Sequence, residues 1–248
     1  MSYEPPSTEF GGRATTGTLS EAAPWSVVIP VKLLRDAKSR LSRLDPDDRV
    51  ALALAMALDT VEAATAAAAR VLVVTDDPVA AAAAEEIGAI VVADRPDAGL
   101  NPALAHGAAE AARRWPADGI AAVSADLPAL RPGALREALA EAALHPRAFV
   151  ADTSAEGTVV LTARGVDLEP EFGAGSAARH RGTGAVEVGA SAVSLRRDVD
   201  TIEDLSVALA LGCGPRTTRA AGRLGLPSLP AESPAPSART GPGSRAAD

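Results

Sequence analysis

The chain has 248 residues and a formal net charge of −8, from 24 basic and 32 acidic residues. That balance excludes a general nucleic-acid binder, and six aromatic residues, with Tyr3 and Phe10 near the start, give no ladder for stacking bases. One cysteine, Cys213, excludes an internal disulfide framework and a cysteine-built zinc site. No apolar run reaches the roughly 18 residues of a membrane span, and the N-terminus lacks the basic start and apolar stretch of a signal peptide. A cytoplasmic protein with no membrane or nucleic-acid partner is expected.

Residues 1–23 and 224–248 are rich in Gly, Pro, Ser, Thr and Ala and are expected to be disordered tails around a single domain of residues 24–223. Inside it, WSVVIP (25–30) and RVLVVTD (70–76) read as buried strands. AIVVAD (89–94), GIAAVSAD (119–126), AFVADT (148–153) and GTVVLTA (157–163) continue the series, the last two as an antiparallel hairpin. Helices are expected from Asp45-Pro46 to about Ala69, over 78–86, 102–114 and 132–144, and from Thr201 to Leu211. This alternation predicts an α/β fold, a Rossmann-like three-layer α/β/α sandwich around a mostly parallel sheet. Ligands of such sheets bind beyond the carboxyl ends of the strands.

Four segments fall there. The loop PVKLLRDAKSRLS holds Lys32, Arg35, Lys38, Arg40 and Arg43, and both lysines of the chain lie in it. Clustered cations suit a polyphosphate, or else form a solvated basic turn; no Walker A or Rossmann glycine pattern is present. In SADLPAL, Asp126 either points a carboxylate at magnesium or caps a helix. In RRDVDT, Asp198 and Asp200 are expected on one face of a last strand, one sharing a metal with Asp126 and the other capping the next helix. In EFGAGSAARHRGTGA, the Gly-Ser turn opens a short helix whose N–H groups suit an anion, the alternative being a surface loop. His180 reads as a phosphate contact or surface residue, and no Ser/His/Asp triad is arguable.

Taken in order, the PVK…AKSRL loop, VVTDD, GLNPALAHGA, SADLPAL, GTVVL, FGAGSAARH and DVDT resemble the phosphoenolpyruvate / 2-phospho-L-lactate guanylyltransferases of coenzyme F-420 biosynthesis over about residues 25–222. The resemblance implies a nucleotidyltransferase fold, like that of molybdopterin and sugar nucleotidyltransferases. It implies transfer of GMP from GTP to a phospho-acid with release of diphosphate. Asp126 and Asp198, with Asp200 as a further candidate, would hold Mg2+. Lys32, Lys38 and Arg40 would clamp the triphosphate, with Lys32 also counted as catalytic alongside Asp126 and Asp198. Thr158, Gly173 and Ser176 would hold the acceptor, and Asn101 would lie near the nucleoside. A downstream transferase of the same pathway is a further possible partner. Glu156 departs from the pattern, where a small residue is expected, and should face solvent. The excess of alanine (57 residues) and arginine (22) suggests a GC-rich genome. That composition resembles actinobacterial members, which favours phosphoenolpyruvate over 2-phospho-L-lactate. Competing readings are a molybdopterin- or sugar-phosphate-type nucleotidyltransferase, a nucleotide-binding regulatory module and an interaction protein.

Overall fold

The structure, a computed structural model, describes residues 24–32, 41, 44–95 and 97–226. The expected tail 1–23 and residues 227–248 of the expected tail 224–248 lie outside the described residues, as do Arg35, Lys38, Arg40 and Arg43.

Strands β1 (Trp25–Pro30), β2 (Arg70–Val74), β3 (Ile90–Val92) and β4 (Gly119–Val123) are short apolar runs, and β1 is buried along its whole length. With β5 (Arg147–Ala151), β6 (Thr158–Ala163) and β7 (Val186–Glu187) they form one sheet in the order β3-β2-β1-β4-β6-β5-β7. All the β1–β4 contacts are parallel, and β6 runs antiparallel between β4 and β5. The expected mostly parallel sheet and the β5–β6 hairpin are both present. Because β6 is reversed, its first residue, Thr158, lies at the edge where β1 and β4 end.

Alternation along the strands sorts side chains into two cores. Val27, Ile29, Val71, Val73, Ala121 and Val123 face one layer. Val28, Leu72, Val74, Ala122 and Phe149 face the other. The first layer contains α1 (Pro46–Thr65), α2 (Pro78–Glu86) and α4 (Pro132–Ala142), and the second contains α3 (Leu100–Arg114). Alanine lets these helices lie close to the sheet. At Gly107 on α3, even a Cβ would stand 2.5 Å from Val28 Cγ1 and 2.6 Å from Val74 Cγ2. Proline near the first turn starts α1, α2 and α4. Asp77 caps α2 with its side chain, whereas Asp45 before α1 makes no such bond.

The irregular stretch after β6 contains the short helices α5 (Ser176–Gly182) and α6 (Val193–Arg196). Then come α7 (Ile202–Leu211), which Gly212 ends as expected, and α8 (Pro215–Arg223), which the sequence pattern did not announce. The residues of α8, PRTTRAAGR, include no large apolar side chain. The helix is fixed from outside: Asp59 of α1, 5% exposed, accepts the N–H groups of Arg216 and Thr217 at 3.2 and 2.7 Å. A third core joins α1, α7 and α8 around Leu52, Met56, Leu205 and Ala208. Leu224 and Leu226 pack against it, so ordered structure runs three residues past the expected boundary at 223. No helix among the described residues is long and apolar enough to cross a membrane.

Candidate active site

A cavity of about 800 Å³ opens at the edge where β1 and β4 end and β6 begins. Lys32, Asp126, Asp152, Asp198 and Asp200 line one part of it. Thr158, Phe172, Gly173 and Ser176 line another. A side cavity of about 180 Å³ shares Lys32 and Leu100 with it and continues past Asp76, Asp94 and Asp97. The strand ends and loops singled out in the sequence therefore converge.

The acidic wall is assembled by buried hydrogen bonds. Thr60 of α1 is fully buried. Its hydroxyl lies 2.9 Å from the Met56 carbonyl and 3.2 Å from the Ala125 carbonyl, and accepts the Leu127 N–H at 3.1 Å. This grips the turn on both sides of Asp126. The Val199 N–H donates to the Asp126 carbonyl at 3.1 Å, drawing the Asp198–Asp200 segment alongside. Arg196 donates to the carbonyls of Ala151, Asp152 and Ala190, fastening that segment to the end of β5.

No strand precedes Asp198 and Asp200, contrary to expectation; they follow α6 in an extended loop, and backbone bonds to the Asp126 turn bring them to the cavity. Neither caps α7. That position belongs to Thr201, in a reciprocal capping box with Asp204. Asp126 does not cap α4 either, whose N-cap is Arg131.

Burial, and then the negative charges of Asp126, Asp152 and Asp200, push the Asp198 carboxyl up to about 7. Asp152 also shapes the β5–β6 turn, accepting from Ser154 Oγ at 2.8 Å and the Gly157 N–H at 2.9 Å. Among the described residues no three His, Cys, Asp or Glu side chains are grouped so as to hold a metal ion. Magnesium takes one or two carboxylates and completes its shell with waters and substrate phosphates. The hard-oxygen donors and their mutual repulsion fit such an ion, with Asp126 and Asp198 nearest to the role and Asp200 beside them.

The other wall is a glycine-rich loop held rigidly. Gly173 (φ 118°) and Gly175 (φ 71°) adopt backbone conformations that side chains disfavour. Asn101 clamps Phe172 twice, donating to its carbonyl at 3.2 Å and accepting its N–H at 2.7 Å. Both ends of the Asn101 amide are thus engaged by the loop, and Asn101 lines neither cavity. Its neighbour Leu100 lines both. Arg179 donates to the carbonyls of Ala174 and Glu171 at 2.7 and 2.8 Å.

His180 is fully buried, a correction to the expected phosphate-contacting or surface residue. Its Nδ1 is 2.9 Å from Thr158 Oγ1, and its Nε2 accepts the Glu171 N–H at 3.0 Å. Burial, then the charges of Arg179 and Arg147, lower the ring to about 4.

The N–H groups expected to bind an anion at the Gly175–Ser176 turn are engaged internally. Ser176 N–H donates to the Gly173 carbonyl and Ala177 N–H to the Glu156 carbonyl, both at 3.0 Å. The turn offers the Ser176 hydroxyl instead, fully buried, lining the cavity and without a hydrogen-bond partner. Glu156 is exposed, as expected, yet on the cavity rim. Of the basic clamp, only Lys32 falls within the described residues; Lys38 and Arg40 do not.

Sequence reasoning missed Thr60, Asp59, Asp152 and the bracing role of Asn101. The first two had a visible signal: adjacent polar residues inside the apolar helix LALAMALDTVEAAT, where a buried polar group must find a partner.

The sheet order, the cavity at the strand ends and the paired acids define a nucleotidyltransferase-type α/β protein. Its fold is similar to a solved nucleotidyl transferase from Methanothermobacter thermautotrophicus, 18% identical, with a TM-score of 0.54 over 76% of this chain and 97% of that one. Residues 25–239 match the family model described as guanylyl transferase CofC like, and the chain belongs to that family. The phosphoenolpyruvate guanylyltransferase of Streptomyces coelicolor is 55% identical over 205 residues, covering 81% of this chain and 97% of the relative. That of Thermomonospora curvata is 53% identical over 204 residues, covering 81% and 90%.

Proposed function

We propose that this chain transfers GMP from GTP to phosphoenolpyruvate, giving enolpyruvyl-2-diphospho-5'-guanosine and diphosphate, in coenzyme F-420 biosynthesis. The observation that carries the acceptor half is the buried, unpartnered Ser176 hydroxyl on the cavity wall beside Thr158. A buried hydroxyl without a partner costs about 1–3 kcal/mol. A ligand oxygen at that wall removes the cost. The names of the relatives support phosphoenolpyruvate as the acceptor.

In this reading an oxygen of the acceptor phosphate attacks the α-phosphorus of GTP. The bond from that phosphorus to the bridging oxygen breaks, and diphosphate leaves with the bonding electrons. The attacking phosphate is already ionised at neutral pH, so no general base is needed. The chain's task is to position two anions and neutralise their charge.

Thr158 and Ser176 donate to acceptor oxygens, while Gly173, with no side chain, leaves room for the acceptor against the loop. Lys32 neutralises the triphosphate, with Lys38 and Arg40 assigned to the same clamp. Asp126 and Asp198, with Asp200 beside them, hold Mg2+. When bound, the ion supplies positive charge that offsets phosphate–phosphate repulsion. The need is plain from the lining: five acids, Asp126, Asp152, Glu156, Asp198 and Asp200, face one described cation, Lys32. The activated diphosphate linkage of the product suits a downstream transferase of the same pathway.

The test is diphosphate release with GTP, magnesium and phosphoenolpyruvate. Parallel arms contain 2-phospho-L-lactate, ATP in place of GTP, or no acceptor. Release is expected with GTP and phosphoenolpyruvate and should disappear in folded Asp126→Asn. Release with 2-phospho-L-lactate alone would reassign the acceptor. No release from GTP with either acceptor would overturn guanylyl transfer.

A further inference from the structure

His180 touches nothing in the cavity, yet its ring holds two parts of the acceptor wall. It rises from α5, bonds Thr158 at the start of β6 and receives the N–H of Glu171 from the glycine-rich loop. Phe172 meets the ring edge-on at 5.5 Å and Phe149 lies tilted at 6.1 Å, so its plane is fixed.

The tautomer follows from the partners. A backbone N–H can only donate, so Nε2 carries no proton. The neutral ring then has its hydrogen on Nδ1, where the neighbour is Thr158 Oγ1 at 2.9 Å. Burial and the nearby Arg179 and Arg147 keep the ring neutral at physiological pH. Thr158 must therefore accept from His180, and its own hydrogen turns elsewhere. Thr158 is only 7% exposed, and the space open to it is the cavity it lines.

We infer that His180 is a positioning residue that turns the Thr158 hydroxyl into a fixed donor, selecting an oxyanion of the acceptor, a carboxylate or phosphate oxygen. The identity of that acceptor rests on the guanylyl-transfer reading; the orientation of the hydroxyl does not.

Two replacements separate the functions of the ring. In His180→Gln, the side-chain oxygen can reach the Glu171 N–H, but the donor to Thr158 is lost. In His180→Asn, the amide nitrogen stands near the Nδ1 position and can still donate to Thr158. The expected result for His180→Gln is a KM for phosphoenolpyruvate about tenfold higher. The KM for GTP should stay unchanged and kcat within about twofold. His180→Asn should recover most of that loss. In a Thr158→Val background, His180→Gln should add less than about twofold, because the group it orients is gone. Melting temperatures of all four variants check that each is folded.

A merely structural histidine predicts otherwise: equal rises in both KM values, no difference between Gln and Asn, or full additivity with Thr158→Val. Any of these overturns the inference. Independently of turnover, long-range 1H–15N NMR of the imidazoles at pH 7.5, compared with His180→Gln, reads the tautomer. A protonated Nε2 on His180 overturns the inference as well. A wild type that shows the expected tautomer but releases no diphosphate would instead refute the function.

Discussion

Asp198→Asn should stabilise the metal-free protein at pH 8 while removing its activity. Unfolded, the carboxyl titrates at 3.8; folded, it is pushed up to about 7 by burial and by Asp126, Asp152 and Asp200. A carboxyl that binds its proton more tightly when folded contributes stability at low pH. That contribution is fully present below about pH 4 and is lost as pH rises through 7, the reverse of a salt-bridged aspartate. At about 1.36 kcal/mol per pH unit, the charge at pH 8 costs up to about 4 kcal/mol. Asp198 lies in the wall of an open cavity, where water and counter-ions screen it, so about half of that, ~2 kcal/mol, is expected. For a domain of this size that is a rise in Tm of roughly 4–8 °C. The assay is a thermal melt in EDTA at pH 8 and at pH 5.5. At pH 5.5 the folded wild-type carboxyl keeps its proton while the unfolded one still loses it, so the gain should shrink to about half and vanish only below about pH 4. Magnesium at pH 8 should raise the Tm of the wild type more than that of the variant. Equal melts at pH 8, or the same gain at both pH values, would refute the electrostatic argument.

Ser176→Ala should leave Tm unchanged or slightly raised, since the hydroxyl has no partner to lose, while weakening acceptor binding about tenfold; titration calorimetry with phosphoenolpyruvate checks it. Thr60→Val strands the buried Leu127 N–H beside Asp126 and should cost about 1–3 kcal/mol in chemical denaturation, with kcat falling at least tenfold as the turn loosens. Truncation after Arg223 removes Leu224 and Leu226 from the third core and should cost about 1–3 kcal/mol, whereas truncation after Leu226 should cost nothing in stability or rate, both read by denaturant melts and the diphosphate assay.

The parts of this protein legible from sequence are those encoded over a few neighbouring residues. WSVVIP is apolar at every position but Ser26 because β1 is covered on both faces, and such short, nearly continuous apolar runs mark buried strands. Pro78 behind the capping Asp77 fixes the start of α2 to the residue. The place of Asp126 at the cavity is likewise readable, because it follows β4, whose carboxyl end lies at the ligand edge of the sheet, and the reversed β6 of the expected hairpin brings its first residue, Thr158, to the same edge. What was misread depends on partners far along the chain. His180 reads as a phosphate contact or surface residue next to Arg179 and Arg181, and only the fold supplies Thr158, 22 residues earlier, with Phe149 and Phe172 against the ring. The bracing role of Asn101 is invisible until Phe172, 71 residues away, engages both ends of its amide. Asp198 and Asp200 read as alternate positions of a strand because their spacing permits it, but the ladder partner is missing and the Asp126 carbonyl takes the Val199 N–H instead.

These misreadings share a direction. Several polar residues near the cavity belong to the scaffold that holds the substrate's contacts. Arg196, Asn101, Arg179, Thr60 and His180 all bond backbone or other side chains. Among the described residues that line the cavity, the hydroxyl of Ser176 lacks a partner and the Asp198 carboxyl is crowded by other acids. One lacks a hydrogen-bond acceptor and the other a counter-charge. An oxyanion would supply the first and a divalent cation the second, and the proposed transfer between two anionic substrates would bring both to the same cavity.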